Sequence, residues 1–454
     1  MKKMGNLYIF TGASGTGKTT VLNNMESMKK LSKGKKYSTR AYRGKGDDIV
    51  HVDRIEDAPD GIEYNVKGHS YRIDIMDIIS RLENGEDVGM ALSNIDVIKQ
   101  IKEILEDRVK VYCISSPIDE KRLELITYKR ALDRLNPDEK ANLLENVKSI
   151  PKTKDEEMKM FELLLEQAIP GTELELANNI SKVHTDYINN ISLFDGVLLN
   201  YGTIEELIEQ ACNLVDNSKD EKSVVFMIIT DSKSSSKELL KTVYEMKLPY
   251  LETMVKLAKR EKSEKDTLGS VEPIGKDGVF PENFDIRYTF HKDEKFSGIE
   301  YAISTEDTRK KLSNGISLAV VSNFEQVPVF EEKFGDEHVV KIYIHKVCTK
   351  DEREKELKEI YESRTDITDD ELKARIGDKD RVFKDYIKNM KNIDNVILNT
   401  TNTEELFLQF FKVLDSYLGK QIMIDGELVS IEELYEQGKN KGDKTDIKFE
   451  NILN

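Results

Sequence analysis

The second half of this 454-residue chain repeats the first in the same order, and that constrains the fold more than any other feature. The run LYIFTGASGTGKTTVL from Leu7 is answered by VVFMIITDSKSSSKELL from Val224. GIEYNV at Gly61 is answered by GIEYAI at Gly298, and a helix ending ENG at Asn84 by one ending SNG at Asn314. MALSN (Ser93, Asn94) pairs with AVVSN (Ser322, Asn323), and VKVYCI from Val109 with VKIYIH from Val340. FDGVLLNYGTIEELI, with Asn200, matches IDNVILNTTNTEELF, with Asn399. Each half alternates short apolar strands with longer amphipathic patterns, the signature of a mostly parallel sheet flanked by helices. The expectation is an α/β chain of two tandem domains, over 1–216 and 217–436, each a mostly parallel sheet flanked by helices. The polar stretch Asp216–Ser223 suits a linker, and 437–454 reads as a polar, loosely held tail.

The length alone argues for two hydrophobic cores. With 38% hydrophobic and 34% charged residues the composition is that of a folded, helix-rich chain. A net charge of −16 argues against broad nucleic-acid binding, because phosphate backbones need a basic surface. It leaves room for a small basic pocket that holds one mononucleotide. Cys113, Cys212 and Cys348 lie far apart, so neither a disulfide framework nor a zinc site is signalled. No apolar run reaches the roughly 20 residues that span a bilayer, and MKKMGNLYIF is no secretory signal. The expectation is a cytoplasmic protein with no membrane partner.

LYIFT reads as a buried strand and TTVLNNMESM as the opening of a helix. Between them GASGTGKT fits G-x-x-x-x-G-K-[ST], the loop that cradles a nucleoside triphosphate. Gly12, Gly15 and Gly17 allow backbone N–H groups to turn inward around a phosphate, in conformations that a Cβ penalises. The helix beginning near Lys18 directs its positive end at the same anion. Lys18 is expected to reach the β- and γ-phosphates of ATP as a catalytic cation, and the Thr19 hydroxyl to ligate Mg²⁺. Ser14, Thr16 and Thr20 complete the expected ATP-binding set. The bland alternative, a glycine-rich turn with a solvent lysine, does not account for strand, loop and helix in order.

Downstream, YSTRAYR places Arg40 and Arg43 three apart after Ser38 and Thr39. This resembles the S-T-T-R-x-x-R segment of guanylate kinases, whose arginines hold the acceptor nucleotide's phosphate. Taken alone it also reads as a solvated basic loop behind KKLSKGKK. GIEYNVKGHSYRI resembles the same family's F-I-E…G-N-x-Y-G-[ST] segment, one residue shorter. The resemblance implies that Glu63 accepts from guanine donors and that Tyr71 contacts the acceptor phosphate, with Ser38, Arg40 and Arg43. It further implies a guanylate-kinase-like fold in each half and phosphoryl transfer from Mg·ATP to GMP, dGMP or a related monophosphate. The resemblance runs through roughly the first 210 residues.

Three departures stand beside it. Arg72-Ile73 replaces the family's Gly-Ser/Thr, removing the hydroxyl that faces guanine O6. Ser93 and Asn94 stand where the family carries aspartates, so Asn94 offers a substrate hydrogen bond without charge, and Asp96 lies close by. The lid's phosphoryl-clamping arginines have Arg130 and Arg134 as catalytic candidates, with ordinary helix-surface charge as the alternative.

In the second half DSKSSSKEL replaces GASGTGKTT, with Lys237 answering Lys18 and Glu238 answering Thr19. Without glycines and with a carboxylate at the nest, triphosphate binding is not expected there. The arginine pair is answered by Lys259 and Lys262, while Arg364, Arg375 and Arg381 fit a lid. Two accounts are open: a structural or partner-binding domain, or arginines that complete the first site within the chain or across a homodimer. A non-catalytic scaffold, or an ATPase or kinase for another phosphorylated acceptor, are the rival functions.

Overall fold

The computed structural model describes residues 4–13, 16–40, 48–66, 68–115, 128, 132, 135–148, 154–169, 187–200, 203–216, 223–230, 235–262, 269–290, 298–346, 355–356, 358–359, 368–400, 402–419, 422–424 and 427–441. Backbone packing forms two compact units, Met1–Phe194 with Leu199–Tyr201, and Asp195–Leu198 with Gly202–Asn454. The helix Ile204–Asp216, which the repeat places at the end of the first domain, groups with the second unit. Among the described residues no helix is long and apolar enough to cross a membrane.

The first unit begins with β1 (Leu7–Thr11), whose five residues are all buried. Such an uninterrupted apolar run belongs in the middle of a parallel sheet covered on both faces. Helix α1 (Lys18–Ser27) follows, then β2 (Ser32–Lys33), β3 (Lys36–Ser38), β4 (Val50–His51), β5 (Ile62–Val66) and β6 (His69–Ile73). Helix α2 (Ile75–Glu83) leads to β7 (Val88–Ala91), and α3 (Ile95–Leu105) leads to β8 (Val109–Ser115). Asp74 caps α2 by accepting from the Asp77 N–H, and Asn94 caps α3 by accepting from the Val97 N–H. Each helix buries one stripe, Ile75, Ile78 and Leu82 on α2, and Val97, Ile98, Ile101 and Leu105 on α3. Helices α4 (Pro137–Lys148) and α5 (Lys154–Ala168) precede β9 (Gly196–Leu199). The main sheet runs β2-β7-β1-β8-β9, and a small sheet runs β4-β3-β6-β5. Strands β2, β7, β1 and β8 pair in parallel, whereas β6 pairs antiparallel with both β3 and β5.

The long segment expected to form a lid holds a core of its own. Leu143 and Val147 of α4, Leu165 of α5 and Tyr128 are buried together, with Tyr128 edge-on to Phe161 at 5.7 Å. Arg130 and Arg134 lie outside the described residues.

The second unit repeats this plan. Its strands are β10 (Val225–Ile229), β11 (Leu251–Thr253), β12 (Lys256–Ala258), β13 (Val271–Pro273), β14 (Ile286–Phe290), β15 (Ile299–Ile303), β16 (Ser317–Ser322), β17 (Val339–Lys346) and β18 (Asn395–Asn399). They form a main sheet β11-β16-β10-β17-β18 and a small sheet β13-β12-β15-β14, the same order strand for strand as in the first unit. A hairpin of β19 (Ile422–Ile424) and β20 (Glu427–Val429) follows. The helices are α6 (Ile204–Asp216), α7 (Ser236–Met246), α8 (Thr305–Ser313), α9 (Val327–Phe334), α10 (Asp369–Asn389), α11 (Thr403–Leu418) and α12 (Ile431–Lys441). Asp415 anchors α12 by accepting from the Ile431 and Glu432 N–H groups, so helix extends to 441, past the expected start of the tail.

Two of the sequence matches are corrected by this topology. GIEYNV and GIEYAI are not counterparts: GIEYAI is β15, which holds the place of β6. Ser38 pairs with Tyr71 and Ala258 with Tyr301, while Tyr64 pairs with Tyr71 and Tyr288 with Tyr301. The backbone bonds agree, Thr39 N–H donating to Ser70 and Lys259 N–H to Glu300. Glu63 is therefore answered by Arg287, and Arg40 by Arg260 rather than by Lys259 or Lys262. The second correction concerns the loop. The left-handed residue that caps the following helix is Gly17 (φ 101°) in one unit and Ser235 (φ 60°) in the other. Counted from that cap, Ser236 holds the Lys18 place and Lys237 the Thr19 place.

Candidate functional site

In the loop between β1 and α1, Gly12 and Gly17 take backbone shapes that favour glycine. Gly12 has φ +137°, and a Cβ there would stand 2.3 Å from the Ile114 carbonyl oxygen. Gly17 takes its left-handed conformation at the mouth of α1, where a side chain costs roughly 1–2 kcal/mol. No acidic side chain sits in the first turn of α1, so its positive end is unopposed there. The Lys18 ammonium curls back over the loop and donates to the carbonyls of Gly12 (2.7 Å) and Ala13 (2.6 Å). Thr16 is buried and its hydroxyl donates to the Ala13 carbonyl. Thr19 and Thr20 are half-buried in the first turn of α1, and Ser14 and Gly15 lie outside the described residues.

Two side chains that local motif reading overlooked brace this loop. The buried Tyr187 hydroxyl lies 2.8 Å from the Gly12 carbonyl and 3.3 Å from that of Ser93. The Asn200 amide donates to the Thr16 carbonyl at 2.9 Å. Both belong to a stretch preserved in the repeat, DYI followed by N, at Tyr187 and Asn200 and again at Tyr386 and Asn399. That coincidence was the available signal. Tyr187→Phe is expected to cost the first unit about 1 kcal/mol, the net worth of one buried hydrogen bond, in denaturant unfolding. An unchanged midpoint would show that Lys18 alone satisfies the loop.

The small sheet carries the acceptor candidates. Ser38 is fully buried, donates to the Ser70 carbonyl and accepts from the Arg40 N–H, so it shapes the turn that presents Arg40. Arg40 is itself buried, its carbonyl 2.7 Å from His51 Nδ1. Arg43 lies outside the described residues. Tyr71 is buried and stacks on Tyr64 at 5.2 Å, and burial raises the Tyr64 phenol above its ordinary range. Glu63 meets Arg72 across the β5–β6 pair, with Arg72 Nη2 donating to Glu63 Oε2 at 2.7 Å and Nη1 to the Ala58 carbonyl. The departure at Arg72 thus engages the carboxylate expected to read guanine.

At the end of β7, Asn94 spends its side-chain oxygen on the α3 cap, and Asp96 is exposed in the first turn of that helix. Lys36 reaches the same strand end, donating to the Ala91 carbonyl (2.8 Å) and to Asp48 (2.7 Å) in a buried ion pair. Burial pushes the Cys113 thiol on β8 up to about 12, so it is an inert core group. Among the described residues no group of three or more His, Cys, Asp or Glu is placed to hold a metal. An Mg²⁺ ion brought in with a triphosphate fits the Thr19 hydroxyl as a hard oxygen donor.

No family model matches the chain, and no curated protein matches it in sequence. Among solved structures it is similar to the crystal structure of guanylate kinase from Anaplasma phagocytophilum. That likeness has 17% sequence identity and a TM-score of 0.28, and covers 49% of this chain and 97% of that chain.

Proposed function

We propose that the first unit is an ATP-dependent nucleoside monophosphate kinase of guanylate-kinase-like type. The observation that carries this reading is the loop from Gly12 to Thr19, with Gly17 left-handed at the helix mouth and Lys18 folded over it. Bound there, the triphosphate would displace the Lys18 ammonium from two carbonyls onto phosphate oxygens, trading neutral acceptors for charged ones. Mg²⁺, held by Thr19, neutralises charge on the β- and γ-phosphates when bound. Arg40 and Tyr71 are the described groups suited to the acceptor's phosphate, with Glu63 facing its base. Phosphoryl transfer needs placement and charge neutralisation more than covalent help from the protein.

The Glu63–Arg72 pair and the absence of a carboxylate at Ser93-Asn94 favour a second reading, an ATPase or a kinase for another phosphorylated acceptor. The test is to incubate the protein with Mg·ATP and each common ribo- and deoxynucleoside monophosphate, following ADP and diphosphate product. ADP that forms only with GMP or dGMP, and is lost in Lys18→Ala, is the expected result. Turnover with another monophosphate would keep the kinase and sink the guanine assignment. ATP binding without acceptor-dependent turnover would defeat the kinase reading in favour of a scaffold or a hydrolase.

A further inference from the structure

The buried Gly12 carbonyl carries two donors at once. The Lys18 ammonium stands 2.7 Å from it and the Tyr187 hydroxyl 2.8 Å, both within the first unit. The same phenol oxygen lies 3.3 Å from the Ser93 carbonyl, just beyond the end of β7. A carbonyl oxygen has two lone pairs and can accept from both donors, but a phenol has one proton and serves one carbonyl at a time.

A ligand treats the two donors differently. Lys18 is a long, flexible cation at the mouth of α1, the group that a bound phosphate draws away from neutral acceptors. Tyr187 is only 6% exposed, its ring 6.3 Å from that of Phe194, and it reaches the loop from outside. Once Lys18 has moved onto phosphate, Tyr187 is the described group that still satisfies the Gly12 carbonyl. Without it a buried acceptor is orphaned, and a glycine peptide is free to turn its oxygen toward the anion.

We propose that Tyr187 is a positioning residue for the nucleotide, taking over the Gly12 carbonyl when Lys18 leaves it for the phosphates. The inference rests on the phosphate-loop part of the kinase reading and adds to it a residue that touches no ligand. With the loop empty, the phenol proton can be shared with Ser93; with the loop filled, it is committed to Gly12. Occupancy of the loop is thereby felt at the strand end that leads into α3. The second unit has Ser236 in the Lys18 place, so no ammonium is handed over there.

The experiment compares the full-length parent with Tyr187→Phe, Lys18→Ala and the double variant. Without nucleotide, hydrogen exchange of the β1 amides reads the stability of the first unit. The double variant is expected to lose at least about fivefold more protection than the product of the single losses, because there both donors are gone. Calorimetry then reads binding of the Mg²⁺ complex of the β,γ-imido analogue of ATP to the parent and to Tyr187→Phe. Tyr187→Phe is expected to weaken it about tenfold, whereas a merely structural tyrosine would leave it unmoved. This arm needs only the single variant, so it decides even if the double variant does not fold. A parent chain that does not bind the analogue would defeat the phosphate-loop reading and the inference with it. Binding by the parent with less than about a twofold loss in Tyr187→Phe, or single losses that simply multiply, would overturn the inference alone.

Discussion

Asp48→Ala is expected to destabilise the first unit by about 3–5 kcal/mol in denaturant unfolding, far more than an ion pair on the surface contributes. Lys36 and Asp48 have side chains 8% and 11% exposed, and their 2.7 Å contact lies where water cannot take over from a missing partner. Removing the carboxylate leaves a buried ammonium that still donates to the Ala91 carbonyl but has lost its counter-charge. Removing both charges is a different perturbation. Lys36→Met combined with Asp48→Ala is expected to recover more than half of the loss, because no unpaired charge then remains. The pair ties β3, which leads to Arg40, to the end of β7, which leads to Ser93 and Asn94. On the proposed kinase reading, loosening it should raise the KM for the acceptor more than that for ATP. A stability change below about 0.5 kcal/mol would mean that the pair is effectively solvated.

The elements of both units were legible because apolar runs and helical stripes are local properties of the chain. LYIFT reads as a buried strand and TTVLNNMESM as a helix without any knowledge of their neighbours, and both are found. Correspondence between the units was less legible. IEY is a generic half-buried strand pattern, so Glu63 and Glu300 looked equivalent, yet their strands occupy different places in sheets of the same order. The degenerate loop misled in a related way. A lysine near a helix start invites alignment with Lys18, but the left-handed cap at Ser235 places Lys237 one position further along. Spacing in sequence does not encode backbone handedness unless a glycine announces it.

The candidate site was legible wherever its chemistry is carried by consecutive residues. Gly12, Gly17 and Lys18 need only one loop and one helix to come together. Tyr187 and Asn200 reach that loop from 175 and 184 residues away, through the fold of the whole sheet. The Lys36–Asp48 pair is closer in sequence, but its burial follows from packing, which no local pattern reports. Glu63 was recognisable as a carboxylate on a strand. That Arg72 would hold it depends on antiparallel register, fixed only once β5 and β6 pair.

Lys256→Met is expected to stabilise the second unit at pH 7, by on the order of 4 kcal/mol in phosphate-free buffer. The sign follows from which state holds the proton. In the unfolded chain the amine titrates near 10.5, whereas in the folded unit burial, Lys237 and Arg260 bring it down to about 7. Between these values the unfolded state binds a proton that the folded state has released, so the parent gains stability as pH rises through the window. At and below about pH 7 the cost of the buried charge is present in full, reduced only by the facing rings of Tyr301 and Phe290. Methionine has nearly the same length, packs well against aromatic rings and carries no charge. The variant's advantage should therefore be largest at pH 7 and fade toward pH 10.5, as read by hydrogen exchange of the β12 and β15 amides. Ser270→Asp, which sets a carboxylate at the strand position that Asp48 holds beside Lys36, should stabilise as well, but with less pH dependence across the window. An advantage of the same size at pH 7 and pH 10 would show that Lys256 stays protonated when folded, and that repacking rather than charge sets the difference.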